Sequence, residues 1–201
     1  MLGELLQAYA DPGRGYHDQE HLREVLERVD ELAAADPRPL DLDVIRLAAF
    51  FHDAVYRTGP PEPDGADAQP SNEEASARWA ERALGHEPQL AARVAGLVRA
   101  TTTHEAPSDD AEAAVLLDAD LAILAAPPER YARYAAGVRR EYAWVAAPDF
   151  RAGRARVLRD LASRERIYRT AYARARWEGP ARANLAAELD DLETPKNDRD
   201  G

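Results

Sequence analysis

Along most of the chain, apolar residues recur three and four positions apart, which is the period of an amphipathic α-helix. The clearest apolar stripe follows a helix that is predicted to begin near Asp18, with charged residues on its other side. This stripe comprises Leu22, Val25, Leu26, Val29 and Leu32. Because Ala, Leu, Arg and Glu are abundant and β-branched runs are scarce, the pattern predicts an all-α fold.

Residues 41–56 have a different pattern, because apolar residues cover most of the circumference of the helix that they predict. Such a helix is expected in the middle of a domain, surrounded by other helices. It nevertheless carries His52 and Asp53, two ionisable residues at consecutive positions. These residues are therefore candidates for chemistry.

Proline, glycine and capping residues predict the ends of other helices. Residues 58–71 contain four prolines and two glycines among acidic residues, which predicts an exposed loop. Ser71 with Glu74 has the spacing of a capping box at a helix start. Asp109 with Glu112 repeats this spacing before a later helix. Further breaks are predicted at Pro127-Pro128, Pro148 and Gly179-Pro180.

The size and composition predict one folding unit. The chain has 201 residues, of which 45% are hydrophobic and 31% are charged, so it can bury a sizeable core. No internal repeat and no long low-complexity linker divides the sequence. We therefore expect a single helical domain over residues 1–193, followed by a polar, disordered tail over residues 194–201.

The charge and the absence of cysteine exclude several classes of function. Twenty-six basic and 37 acidic residues give a formal net charge of −11, which would repel the backbone of a nucleic acid polymer. Without cysteine, any metal must be held by nitrogen and oxygen ligands. The first residues do not resemble a signal peptide, and no run of about 18 apolar residues occurs, so we expect a cytoplasmic protein that does not enter membranes.

Histidine and aspartate residues elsewhere in the chain also fall at positions suited to chemistry. His17 and His21 are four positions apart and are predicted to share a helix face. Asp118 and Asp120 lie in the segment LLDADLAIL, whose other residues are predicted to face the core. A buried carboxylate without a partner is costly, and a divalent cation would offset that cost.

The order of these residues on successive helices resembles the HD-domain superfamily of metal-dependent phosphohydrolases. The resemblance extends over nearly the whole chain and is to a bacterial group described as predicted metal-dependent phosphohydrolases. The matching segments are, in order, YHDQEHL, LAAFFHDAVY, NEEASA, TTTHE, LLDADLAIL, VRREYAWV and SRERIYRTAYARARWEGPARANLAAEL. The resemblance implies an all-α HD-type fold with two histidines and two aspartates around one divalent ion.

Carried over to this chain, the resemblance implies a specific set of metal ligands. The set comprises His21, His52, Asp53 and Asp120. Asp118 remains open as the alternative last ligand, and otherwise lies beside the site or on the helix surface. His17 is expected beside the ligands or as a structural residue at the helix start. Nitrogen and carboxylate ligands suit Mn²⁺, Fe²⁺, Co²⁺, Ni²⁺, Zn²⁺ or Mg²⁺, and the sequence does not select among them.

Such an ion would lower the pKa of a bound water from about 15.7 toward 7 and polarise a phosphoryl oxygen. The expected substrate is therefore a nucleotide or another small phosphorylated metabolite. Candidates to give a proton to the leaving oxygen are Glu73, Glu74 and His104. Candidates to hold the phosphate are Arg139 and Arg182. Each also has a structural alternative: helix capping for the acids, interaction with the dipole at a helix end for His104, and ion pairing with glutamate for the arginines.

Two other functions remain open at this point. Some HD proteins hold two irons and oxidise substrates with O₂, and the extra ligands here would come from His17, His104, Glu73 or Glu74. The other alternative is a non-catalytic helical binding protein with a vestigial HD site. The sequence also leaves a homo-oligomer open.

Overall fold

The computed structural model describes residues 2–59 and 70–194. Within these ranges the chain forms nine α-helices and no β-strand, which confirms the predicted all-α fold. The helices are α1 (Leu2–Ala8), α2 (Gln19–Ala35), α3 (Leu42–Phe51), α4 (Asn72–Ala83), α5 (Pro88–Ala100), α6 (Ala111–Asp120), α7 (Pro128–Glu141), α8 (Ala147–Ser163) and α9 (Ala171–Glu193), and a 3-10 segment covers Leu121–Ala125. Most of the predicted loop at 58–71 and all of the predicted tail except Thr194 lie outside the described residues.

Helix α3 packs against α2, α4, α5 and α6, which agrees with its nearly continuous apolar surface. Its buried side chains include Val44, Ile45 and Phe51. The helix ends at Phe51, so the helix predicted from residues 41–56 is too long. His52 is the C-terminal cap and Asp53 follows it in a turn. The two residues can therefore project from the end of the helix instead of from its side.

Helix α2 begins where the sequence predicts, directly after Asp18. The Asp18 carboxylate accepts hydrogen bonds from the backbone N–H groups of Glu20 and His21, which fixes the first turn. The apolar stripe faces the interior, and Leu22, Val25, Val29 and Leu32 are buried. The prediction that His17 shares a helix face with His21 is wrong, because His17 precedes the cap.

The later helices depart from the sequence prediction at two places. Helix α9 runs through Gly179-Pro180, where a break was predicted. A proline inside a helix costs about 3 kcal/mol, and the packing of α9 against α8 and the 3-10 segment offsets that cost. The N-cap of α6 is Asp110, not Asp109, and its side chain accepts from the Ala113 N–H. The predicted break near Pro148 is confirmed, because α8 begins at Ala147.

Three mutually packed helices bring the candidate ligands together. Helices α2, α3 and α6 contact one another. His21 lies in the first turn of α2, His52 and Asp53 follow α3, and Asp120 is the last residue of α6. The candidates therefore all lie at or near helix ends. Among the described residues, no helix has the length and apolarity needed to cross a bilayer.

Candidate metal centre

Two histidines and one aspartate form a compact, buried cluster. His21 Nε2 lies 3.1 Å from His52 Nε2. Asp53 Oδ2 lies 3.1 Å from His52 Nε2 and 3.5 Å from His21 Nε2. One ligand atom from each of these three residues lies within 4.8 Å of the others, so the group could hold a metal ion.

Asp120 joins this cluster, whereas Asp118 does not. Asp120 Oδ1 lies 3.4 Å from His21 Nε2 and 3.6 Å from His52 Nε2. The Asp118 carboxylate instead accepts backbone N–H groups of Arg169 at 2.8 Å and Thr170 at 2.7 Å, at the start of α9. Burial raises the pKa of Asp118 to about 6, against the lowering effect of those N–H groups. Asp120 is therefore the carboxylate that faces the two histidines.

The spacing of these atoms matches the edges of a coordination shell. With metal–ligand distances of about 2.1 Å, neighbouring ligand atoms lie about 3.0 Å apart in octahedral geometry and about 3.4 Å apart in tetrahedral geometry. The separations above run from 3.1 to 3.6 Å. The atoms of His21, His52 and Asp53 are thus about as far from one another as a shared ion requires, and Asp120 lies at a similar distance from the two histidines.

The histidines and aspartates of the cluster favour one another's charged forms although they are buried. Burial acts to lower the pKa of His21, but hydrogen bonds to Asp120 and Asp53 outweigh it and leave the pKa raised. Burial also acts to raise the pKa of Asp120, but hydrogen bonds from His104, His21 and His52 hold it well below its usual value. The carboxylates are therefore ionised, and a cation that binds the histidines must displace protons from them.

The His52 ring is held in the tautomer that a metal ligand needs. Its Nδ1 lies 2.7 Å from the Ala49 carbonyl oxygen, which can only accept a hydrogen bond. Nδ1 therefore carries the proton, and in the neutral ring the Nε2 lone pair faces the cluster.

His104 contacts the oxygen of Asp120 that does not face the histidine pair. Its Nε2 lies 2.9 Å from Asp120 Oδ2. The backbone of His104 has a φ of 53°, which is unusual for a residue with a side chain. Arg169 holds this conformation by donating to the His104 carbonyl oxygen at 2.7 Å. The strained turn after α5 thus brings His104 to the ligand carboxylate.

The segment before α2 is fixed by Glu141, which was not predicted from the sequence. Its Oε1 accepts the backbone N–H groups of Gly15, Tyr16 and His17 at 2.8 to 2.9 Å. Its Oε2 lies 2.8 Å from His17 Nδ1. Burial acts to raise the pKa of Glu141, but His17 and these N–H groups leave it lowered. An ionised, buried carboxylate therefore organises the whole turn.

Two further features that were not predicted hold this turn against the site. A Cβ on Gly137 would lie 2.6 Å from the Gly15 carbonyl oxygen, so the close approach of α7 requires glycine. The buried Arg14 guanidinium donates to the carbonyl oxygens of His17 at 2.7 Å and Asp53 at 2.8 Å. A glycine inside a helix is a sequence signal for close packing, whereas nothing in the sequence identifies the partners of Arg14.

Two of the predicted site residues, Glu74 and Arg139, have structural roles away from the cluster. Glu74 pairs with Arg78 and Arg99 on the surface of α4 and α5. Arg139 donates to the carbonyl oxygens of Tyr142 and Val145. Glu74 is therefore engaged in surface ion pairs, and Arg139 binds carbonyl oxygens at the end of its own helix.

Arg182 and Glu73 also remain outside the ligand cluster. Arg182 donates to carbonyl oxygens at the C-terminal end of α8, including that of Ala162, and pairs with Glu178. Glu73 is half-buried in the first turn of α4 and makes no hydrogen bond or ion pair with any described residue. The start of α4 lies near the His52-Asp53 turn, because Ser76 Oγ accepts the N–H of Val55 at 2.9 Å.

A cleft of about 670 Å³ opens beside the cluster. Tyr16, His17, His104 and Asp120 line one part of it, and α8 lines another part. The basic residues that α8 and the turn after it contribute are Arg154, Arg156 and Arg164. Arg154 pairs with Glu188 and Arg164 pairs with Asp160. Within residues 2–59 and 70–194, Arg156 forms no hydrogen bond or ion pair, so its guanidinium is free to meet a ligand.

Comparison with known proteins identifies no relative of this chain. No family model, no curated protein and no solved structure matches it.

Proposed function

We propose that this chain is a metal-dependent phosphohydrolase that cleaves a phosphoester in a nucleotide or another small phosphorylated metabolite. One observation carries the proposal: His21, His52 and Asp53 meet with their ligand atoms at coordination spacing, and Asp120 from a third segment lies 3.4 Å from His21 Nε2. The same residues are those that the resemblance to the HD-domain superfamily implies as ligands. A buried cluster of charges is costly unless its partners satisfy it, and an ion at its centre would do so.

The donor set fits a divalent first-row ion. His21 and His52 would bind through Nε2, and Asp53 and Asp120 through one carboxylate oxygen each. Two imidazoles and two carboxylates suit Mn²⁺, Fe²⁺, Co²⁺, Ni²⁺, Zn²⁺ or, less well, Mg²⁺. When bound, such an ion would supply a Lewis acid for the phosphoryl oxygen and acidify a water molecule.

His104 acts by orienting Asp120. Its Nε2–H is directed to Asp120 Oδ2, which leaves Oδ1 toward the histidine pair. Groups that hydrogen-bond to a ligand carboxylate fix its direction and tune the site. Because Nε2 of His104 is engaged in this way, the residue is a positioning group for Asp120 in our proposal, not the proton donor.

His17 is the better candidate to deliver a proton to the leaving oxygen. It lines the cleft together with Asp120, and its ring centroid lies 5.5 Å from that of His21. The ionised Glu141 carboxylate accepts from Nδ1–H, which leaves Nε2 without a partner among the described residues. A histidine whose tautomer is set by a buried carboxylate is a common acid–base arrangement.

Arg156 and Val157 of α8 provide a place for the rest of the substrate. The free guanidinium of Arg156 can pair with a phosphate or carboxylate oxygen. Val157 is 50% exposed, which is unusual for a large apolar residue, and it lies on the same cleft. A volume of about 670 Å³ is in the range of small-molecule sites. The cleft therefore suits a small phosphoester with an apolar part.

Metal analysis of the purified protein, followed by a phosphate-release screen over nucleotides and p-nitrophenyl phosphate, tests the proposal. We expect about one equivalent of metal per chain, and release of phosphate when Mn²⁺, Co²⁺, Ni²⁺ or Mg²⁺ is present. The nearly isosteric variant Asp120→Asn should lose both, whereas His86→Ala, at an exposed position, should lose neither.

Other outcomes point to the alternative functions. Two iron equivalents with consumption of O₂ would identify a di-iron oxygenase. A protein that binds no metal, and in which Asp120→Asn changes only stability, would be a helical binding protein with a vestigial site. Either result would contradict the proposed hydrolysis.

A further inference from the structure

The side chain of Tyr16 ends in a buried hydroxyl without a partner. Tyr16 is 6% exposed, and no described group lies within hydrogen-bond distance of its hydroxyl oxygen. Buried polar groups in folded proteins nearly always form hydrogen bonds, and leaving one unpaired is unfavourable. Such a group therefore suggests a partner that arrives with a ligand.

Tyr16 lies directly against the candidate metal centre. Its ring centroid is 4.7 Å from that of His21 and 4.6 Å from that of Tyr134. Tyr16 and Asp120 both line the 670 Å³ cleft, and both also line a smaller cavity of about 170 Å³. The residue thus forms part of the wall around the space where a ligand of the centre would bind.

The hydroxyl has no part in holding Tyr16 in place. The backbone N–H of Tyr16 is fixed by Glu141 at 2.8 Å, and the preceding Gly15 packs against Gly137. The ring is packed between His21 and Tyr134. Because main-chain and ring contacts determine its position, the hydroxyl is free to serve another purpose.

We propose that the Tyr16 hydroxyl donates a hydrogen bond to a non-bridging oxygen of the phosphoryl group. This inference rests on the proposed phosphohydrolase function and names one further residue that contacts its substrate. A phenol is protonated at neutral pH, so the group is a donor to an oxyanion. A donor that is fixed before the substrate arrives stabilises developing negative charge without reorganisation.

Tyr16→Phe removes only the hydroxyl, and Tyr131→Phe is its matched control. Tyr131 is equally buried, but its hydroxyl donates to Glu188 at 2.5 Å, and the residue does not line the cleft. Binding of inorganic phosphate to the metal-loaded protein, turnover of p-nitrophenyl phosphate and the thermal midpoint would be measured for both variants.

We expect Tyr16→Phe to keep or raise the thermal midpoint, because no protein hydrogen bond is lost. It should weaken phosphate binding and lower kcat/KM by about 10- to 100-fold each, which is the usual effect of one hydrogen bond to a charged group. Tyr131→Phe should lower the midpoint, because it removes one hydrogen bond to the half-buried Glu188 carboxylate, and should leave phosphate binding unchanged.

Equal phosphate binding by wild type and Tyr16→Phe would overturn the inference, as would the absence of binding by the wild type. A lower midpoint in Tyr16→Phe with unchanged phosphate binding would do the same, since the hydroxyl would then be satisfied by ordered water. Failure of the proposed function has a different signature. In that case the metal-loaded wild type cleaves no phosphoester, whether or not phosphate binding depends on Tyr16.

Discussion

Glu141 provides the most direct test of how the turn before α2 is held. Its buried carboxylate accepts three backbone N–H groups through Oε1 and contacts His17 through Oε2. Glu141→Gln removes the charge and replaces one acceptor oxygen by an NH₂ donor, while the remaining oxygen can still accept the three backbone N–H groups. A hydrogen bond to a charged acceptor contributes about 1 kcal/mol more than a neutral one. For the three backbone bonds, we therefore expect the free energy of unfolding to fall by about 3 kcal/mol at pH 7.

The pH dependence of this effect has a definite sign. The folded state lowers the pKa of Glu141 below its ordinary value of 4.5. A depressed carboxylate pKa gives stability that is present above the unfolded pKa and is lost as the pH falls through the folded pKa. Glutamine does not titrate. The difference in stability between wild type and Glu141→Gln should therefore be constant above about pH 5 and shrink below pH 4.5.

Urea unfolding between pH 3.5 and 7 measures this difference. Glu27→Gln is the matched control, because Glu27 is exposed and pairs with Arg23 on the surface of α2, so we expect no measurable change. A difference below about 1 kcal/mol at pH 7, or one that does not vary with pH, would show that the Glu141 charge does not hold the turn.

Three other changes test separate parts of the structure. Gly137→Ala should lower the free energy of unfolding by about 2 kcal/mol, because its Cβ would lie 2.6 Å from the Gly15 carbonyl oxygen. Gly153→Ala, whose Cβ would have no atom within 4 Å, should raise it by about 0.5 to 1 kcal/mol. Equal urea unfolding of the two variants would contradict this packing. Arg156→Ala should raise the KM for p-nitrophenyl phosphate about tenfold with an unchanged urea midpoint, and an unchanged KM would remove this residue from the substrate site. Adding Mn²⁺ at 100 times its Kd to chelator-treated protein should stabilise the protein by about 2.7 kcal/mol, which is measured as a higher Tm. If Mn²⁺ raises the Tm of His52→Ala equally, the ion binds elsewhere.

Features that depend on neighbouring residues were predictable from the sequence. The stripe on α2 and the start of this helix near Asp18 were both confirmed, because a helical period and a capping carboxylate act within a few positions. The proline at 180 was misread for the opposite reason. Whether a helix continues through a proline depends on packing against distant segments, and here α9 is held by α8 and the 3-10 segment.

In the candidate site, too, some features were predictable from the sequence and others were not. The resemblance to the HD-domain superfamily, which residue type and order carry, selected His21, His52 and Asp53, and these residues meet in space. The partners of long side chains were not predictable, since a guanidinium can reach many acceptors. Arg139 accordingly donates to carbonyl oxygens at the end of its own helix. Glu141 was overlooked because its acceptor role depends on the approach of a turn more than 120 positions away.

Each candidate ligand is held by a different group, so the ligands are positioned before an ion binds. Asp18 caps the turn that carries His21, and the Ala49 carbonyl oxygen fixes the His52 ring. The Tyr9 hydroxyl accepts the Asp53 N–H at 3.2 Å. His104 bonds the Asp120 carboxylate at 2.9 Å. Because a separate contact holds each ligand, loss of one contact should disturb mainly the ligand that it holds, and an ion would bind to side chains that are already oriented toward one another.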